Sequence, residues 1–246
     1  IDDDSRQRSA TWGDYDNDGD LDLYIVTGDN AANLLYKNNG NGTFTQIDED
    51  TAITGNGHDA VFVDYDNDGD LDLSMTREDD KTVLLRNNTN NNHYLKVRVI
   101  GGGGCRTNKA GVGVRLDLFE RDINGNLHYL ARRSIGTARG YGGTEPMWAH
   151  FGGVDPSKSY VVRAHLASGE KDVEVVPANV STTIGGRTIS QMVTITESSM
   201  DSLFTDVSDT TNFNVQTARN DNASGLNWAD VDADGDPDAI ITGSRS

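Results

Sequence analysis

The chain has 246 residues, a formal net charge of −18 and a single cysteine, Cys105. That length is enough for one large or two ordinary domains with a sizeable core. The charge excludes a nucleic-acid surface, which needs a basic stripe, and the lone cysteine excludes an internal disulfide. No apolar run approaches the ~20 residues of a membrane span.

The first predicted element is a strand running into an aspartate-rich turn, "WGDYDNDGDLDLYIV" from Trp12 to Val26. Counted from its first aspartate, the turn carries Asp14, Asp16, Asp18, Asp20 and Asp22 at positions 1, 3, 5, 7 and 9, with Gly19 at position 6. Trp12 and Ala10 stand two and four residues ahead of Asp14, a period of two that predicts a strand with those side chains facing inward. After the turn, "LDLYIV" alternates like a half-buried strand. A second copy follows with Asp64, Asp66, Asp68, Gly69, Asp70 and Asp72, preceded by Phe62 and Ala60. The third copy, Asp230, Asp232, Asp234, Gly235, Asp236 and Asp238, is preceded by Trp228 and Leu226. Repetition with glycine at one fixed place is not a solvated charge run.

The first two turns start 50 residues apart and the last two 166 apart, which leaves about 110 extra residues, 91–200, as an insert. Within it, residues 94–100, 112–119, 127–134, 160–167, 171–176 and 191–197 read as strands, with hairpin turns at Asn124-Gly125 and Ser168-Gly169. Six strands over that length predict a β-sandwich. The fold class is therefore all-β: three propeller-blade-like repeats that do not close a ring, with an inserted sandwich. The domains expected are 1–90 (two repeats), 91–200 (the insert) and 201–246 (the third repeat, packing with 1–90).

Alternate carboxylates on a curled loop converge on one point, and glycine permits the sharp turn. Position 7 can add its backbone carbonyl while position 5 gives its carboxylate. Six to eight hard oxygens suit Ca²⁺; Mg²⁺ prefers fewer protein ligands, and Zn²⁺ would want His or Cys. Position 12 is Ile25, Met75 or Ile241 rather than the bidentate Glu of an EF-hand, so Asp at position 9 closes the ring. Three Ca²⁺ sites are expected, and loops so full of protein oxygens hold shape rather than bind substrate.

These loops resemble FG-GAP/VCBS repeats, the units of integrin-α-type β-propellers; "NLLYKNNGNGTF" (33–44) and "TVLLRNN" (82–88) are similar to the strand and turn that close such a unit. The resemblance implies calcium in each loop and a strand–loop–strand blade, and does not imply an enzyme. The insert resembles the ASPIC/UnbV domain through "TNKAGVGVRLDL" (107–118), "GYGGTEPMWAHFGG" (140–153) and "VVRAHLASGEKDVEV" (161–175). It departs from that family's His-Phe-Gly-Leu-Gly and Trp-Pro-Ser-Gly runs, having "HFGGV" and "HLASG".

The five histidines and Cys105 form no recognisable catalytic set, so no enzymatic activity is expected. "RGYGGTEPMWAHF" (139–151) gathers Arg139, Tyr141, Glu145 and Trp148 on a Gly-rich loop, the mixture found at interaction hot spots. Its alternative reading is that Trp148 and Phe151 belong to the sandwich core. An acidic, disulfide-free, calcium-loaded unit suits the ligand-binding modules of bacterial surface adhesins. The expectation is thus an extracellular or cell-surface adhesion module, part of a longer chain, taking a peptide, protein or carbohydrate ligand. It would bind no nucleic acid and insert into no membrane. The alternatives are a structural spacer of a large surface protein or an accessory domain of a secreted polysaccharide-degrading enzyme.

Overall fold

A computed structural model describes residues 6–28, 31–47, 56–78, 81–137 and 143–198, together with the strand backbones of 223–229 and 238–243. The chain forms two compact units, Ile1–Met200 and Asp201–Ser246. Among the described residues the fold is all-β, in several sheets with no closed barrel. Among the described residues no helix is long and apolar enough to cross a membrane.

In the first unit, β1 (Gln7–Gly13), β2 (Asp22–Thr27), β3 (Leu34–Asn38) and β4 (Phe44–Ile47) form a four-stranded antiparallel meander. The second repeat is the shorter β5 (Gly57–Val63), β6 (Asp72–Arg77) and β7 (Val83–Leu85). Each aspartate loop joins two strands in one register: Gly13 faces Asp22, and Val63 faces Asp72. The two sheets share a core of Tyr24, Val26, Leu35, Ala60, Phe62, Leu73 and Met75.

Two local readings are corrected. Strand β2 is buried on both faces, because it runs between β1 and β3 and is covered by β5. Strand β1 turns the opposite face inward from the one its pattern predicts. Ser9, Thr11 and Gly13 are buried, whereas Ala10 is exposed and Trp12 remains 44% exposed, edge-on to Phe44 at 6.2 Å. The matching Ala60 and Phe62 of β5 are buried because the first repeat lies over them. Phe62 fills the space beside Gly13, where a Cβ would come within 2.5 Å of its ring.

The insert is a sandwich of two sheets. One has the order β10 (Leu127–Ser134), β9 (Arg115–Arg121), β12 (Tyr160–Leu166), β13 (Gly169–Val175). The other is β11 (Trp148–Phe151), β8 (Leu95–Ile100), β16 (Met192–Thr196), with β16 parallel to β8. Their facing side chains, among them Leu95, Val97, Leu116, Leu118, Phe151, Val162 and Ile195, make one core. All six predicted segments are strands. Strand β9 starts three residues later than expected because Gly111 and Gly113 take positive φ of 71° and 85°. Strand β11 and the hairpin of β14 (Ser181–Ile184) and β15 (Arg187–Ser190) are additional.

In the second unit, β17 (Ala223–Ala229) pairs antiparallel with β18 (Asp238–Gly243). Ala229 faces Asp238, the register that flanks the other two loops.

Candidate metal centres and the adjoining cleft

The first two loops have the same backbone. Gly19 and Gly69 at position 6 take φ of 102° and 104°, and Asn17 and Asn67 at position 4 take 57° and 66°. Asparagine tolerates this left-handed region better than most side chains. Asp14 receives Asp18 N at 3.0 Å and Gly19 N at 2.9 Å, while Asp64 receives Gly69 N at 2.9 Å. Position 9 ties the loop to neighbouring backbone. Asp22 accepts from Tyr15 N (3.1 Å) and Asn38 N (2.8 Å); Asp72 accepts from Tyr65 N (3.0 Å) and Asn87 N (2.8 Å).

Carboxylate oxygens of Asp14, Asp16 and Asp18 lie within 4.8 Å of one another, as do those of Asp64, Asp66 and Asp72. Either cluster could hold a metal ion. The donors are all oxygen, and Asp16 Oδ1 and Asp64 Oδ1 are buried without a hydrogen-bond partner. A buried carboxylate oxygen left so is costly, and a hard cation would satisfy it. Burial pushes the Asp14 and Asp22 carboxyls up to about 7, and that of Asp72 to about 6. A divalent ion would offset that desolvation.

Position 7 is used differently in the two loops. Asp20 is partly exposed, whereas the buried Asp70 accepts from Asn17 Nδ2 at 3.0 Å and from Asn90 N. The Asp70 carboxylate therefore locks the second loop to the first. Asp230, Asp232, Asp234 and Asp236 of the third loop lie outside the described residues; Asp238 begins β18.

Four basic side chains that sequence reasoning missed counter these carboxylates. Lys37, at the end of β3, pairs with Asp16 and, at 3.1 Å, with Asp18. Arg86, just after β7, pairs with Asp66 at 3.0 Å and Asp68 at 3.1 Å. Each immediately precedes the asparagine whose N–H holds position 9, and that shared place was the available signal.

The other two come from the sandwich. Lys96 of β8 is fully buried and lies against Asp64 Oδ2 as an ion pair without hydrogen-bond alignment. Arg133 of β10 reaches within 4.0 Å of Asp14, donates to Gly19 O at 3.3 Å and lies 5.6 Å over the Phe151 ring.

The run His150-Phe151-Gly152-Gly153 completes the contact. His150 Nε2 donates to Gly69 O at 3.0 Å and its ring stacks on Tyr94 at 5.9 Å. The residue is partly exposed, yet its Nδ1 is shut off from solvent, and burial pushes the imidazole down to about 3. Gly153 N donates to Asn17 O at 2.9 Å. A Cβ on Gly152 would lie 2.1 Å from Asp14 Oδ2.

Between the repeats and the sandwich lies a cleft of about 320 Å³. Trp12, Phe62 and Trp148 form its aromatic lining; Arg133, Glu145 and the two position-1 aspartates, Asp14 and Asp64, are its charged lining. Of the four residues expected to bind ligand, Glu145 and Trp148 line this cleft, while Arg139 and Tyr141 lie outside the described residues. Phe151 belongs to the sandwich core; Trp148 is only partly buried.

No curated protein matches the chain significantly. Residues 14–75, from the first aspartate of the first loop to β6 beyond the second, match the family described as FG-GAP-like repeat.

Proposed function

We propose that the chain is a calcium-stabilised, non-enzymatic extracellular module that mediates adhesion by taking a peptide or carbohydrate ligand in the cleft between its repeats and its sandwich. FG-GAP repeats are found in extracellular adhesion-type and integrin-like proteins and often bind calcium. The observation that carries the reading is the cleft itself. It joins aromatic side chains from three strands, β1, β5 and β11, to a few charged groups, and its volume falls at the lower end of ligand pockets. Calcium in the Asp14–Asp22, Asp64–Asp72 and Asp230–Asp238 loops would act indirectly in this scheme. In the first two loops it would fix the aspartates that line the cleft, Asp14 and Asp64, rather than bind the ligand. We read the sandwich as ASPIC/UnbV-like on the strength of its "HFGG" run, which sits on the first two loops.

The test is a screen of peptide and glycan arrays in calcium, followed by Trp12→Ala and Trp148→Ala. Truncating a hot-spot tryptophan costs about 2 kcal/mol or more, roughly thirtyfold in affinity. If both variants fold, keep their calcium and bind the selected ligand as the parent does, the cleft is not the site. A folded, calcium-loaded protein with no hits on either array favours the spacer reading.

A further inference from the structure

We infer that Lys37 and Arg86 are resident counter-ions that compete with calcium for the carboxylates at loop positions 3 and 5, and so set the calcium affinity of their loops. The inference rests on the calcium reading above. Its basis is which oxygen each base holds. In the second loop, Asp66 Oδ1 accepts Asp68 N at 3.2 Å and Asp68 Oδ1 accepts Asp70 N at 3.1 Å. The backbone thus occupies one oxygen of each carboxylate. Arg86 occupies the other, with Nε on Asp66 Oδ2 and a terminal nitrogen on Asp68 Oδ2. The first loop repeats the arrangement. Asp18 Oδ1 accepts Asp20 N at 3.0 Å, and Lys37 takes Oδ2 of both Asp18 and Asp16.

Two loops 50 residues apart therefore place a base on the same pair of oxygens, using Lys in one and Arg in the other. Shared charge and position, with a different side chain, point to the charge as the functional property. Two effects oppose each other when the base is removed. A partner that orients a ligand raises metal affinity, and its loss lowers it. A cation on the ligating oxygens lowers affinity, and its loss raises it. Here the backbone N–H groups already orient the carboxylates of Asp18, Asp66 and Asp68, so the second effect wins. Both bases can leave: the Lys37 side chain is 34% exposed and that of Arg86 53%. Without calcium each holds its loop together, and on calcium entry each is released to solvent.

The experiment uses the whole chain and calcium itself as the probe. Calcium binding is measured by isothermal titration for the parent, Lys37→Met, Arg86→Met, the double variant and Lys37→Arg. Thermal melts in excess calcium and in EGTA accompany it. Each Met variant should tighten one calcium site about three- to tenfold, the scale of a partly screened charge–charge term. Its melting temperature should fall by about 2–4 °C in EGTA and stay put in calcium. Lys37→Arg should keep parental affinity. A purely structural role would lower both melts and leave calcium affinity unmoved or weakened, and that result overturns the inference. A parent that binds no calcium overturns the calcium reading and this one with it. A parent that binds calcium with unmoved variants overturns this one alone.

Discussion

Replacing Lys96 by Met keeps a long, flexible apolar stem in the same space and removes only the charge. Lys96 and Asp64 both have side chains fully shut off from solvent. Removing one member of a buried ion pair leaves the other charge uncompensated and costs about 3–5 kcal/mol. The Asp64 carboxylate, however, belongs to a cluster that could hold a metal ion. Bound calcium would neutralise it from the other side and reduce the penalty to the small packing change. The loss should therefore be nearly full in EGTA and at least about 2 kcal/mol smaller in saturating calcium, which for a unit of this size is a difference of roughly 4–8 °C in melting temperature. Urea unfolding of the parent, Lys96→Met, Asp64→Asn and the double variant, with and without calcium, measures it. In EGTA the double variant should be more stable than Lys96→Met, because the orphaned charge is gone. Equal losses with and without calcium, or a double variant no better than Lys96→Met, would refute the reasoning.

Chelation should lower the melting temperature of the parent, since each of the first two loops would keep five carboxylates without a divalent ion; identical melts in calcium and EGTA would contradict this. Asp70→Ala should cost about 1–3 kcal/mol in either condition, because it removes the buried carboxylate that accepts from both Asn17 Nδ2 and Asn90 N, while Asp66→Ala should chiefly weaken calcium binding in titration. Gly152→Ala should cost about 1–3 kcal/mol by driving a Cβ into Asp14, read as a lower urea midpoint. The imidazole of His150 titrates at about 3 when folded, against an ordinary value near 6.5. Its contribution is full above pH 6.5 and is lost as pH falls towards 3, by up to about 1.4 kcal/mol per unit. His150→Gln should remove that slope. The parent-minus-variant difference isolates it from Asp14 and Asp22, whose raised values act in the opposite sense between pH 4 and 7.

The loops were legible because their geometry is local. Gly19 and Gly69 at position 6 and alternating aspartates force the same turn wherever they occur, and the period-two runs of the insert became strands for the same reason. The inward face of β1 was not legible, because Trp12 and Phe62 occupy one pattern position, yet the first repeat covers Phe62 while Trp12 stays 44% exposed. Nor was the role of Asp70. Its partner Asn17 is 53 residues away, so the contact exists only once the two repeats have packed.

The same distinction accounts for the missed cations and bears on what the insert does. A metal-free loop with five carboxylates holds more negative charge than a single surface base could offset. Lys37 and Arg86 each supply one positive charge from the loop's own repeat. The second comes from across the sandwich contact, Arg133 for the first loop and Lys96 for the second, from strands 119 and 32 residues beyond Asp14 and Asp64. The sandwich is therefore part of the charge balance of both loops as well as a packing neighbour. That dependence runs in both directions. Without the carboxylates Lys96 would be a buried, uncompensated lysine; without the sandwich Asp64 would lose its buried partner. Because Asp14 and Asp64 also line the cleft, sandwich docking and the shape of the cleft act on the same two side chains, on which a bound ion would act as well.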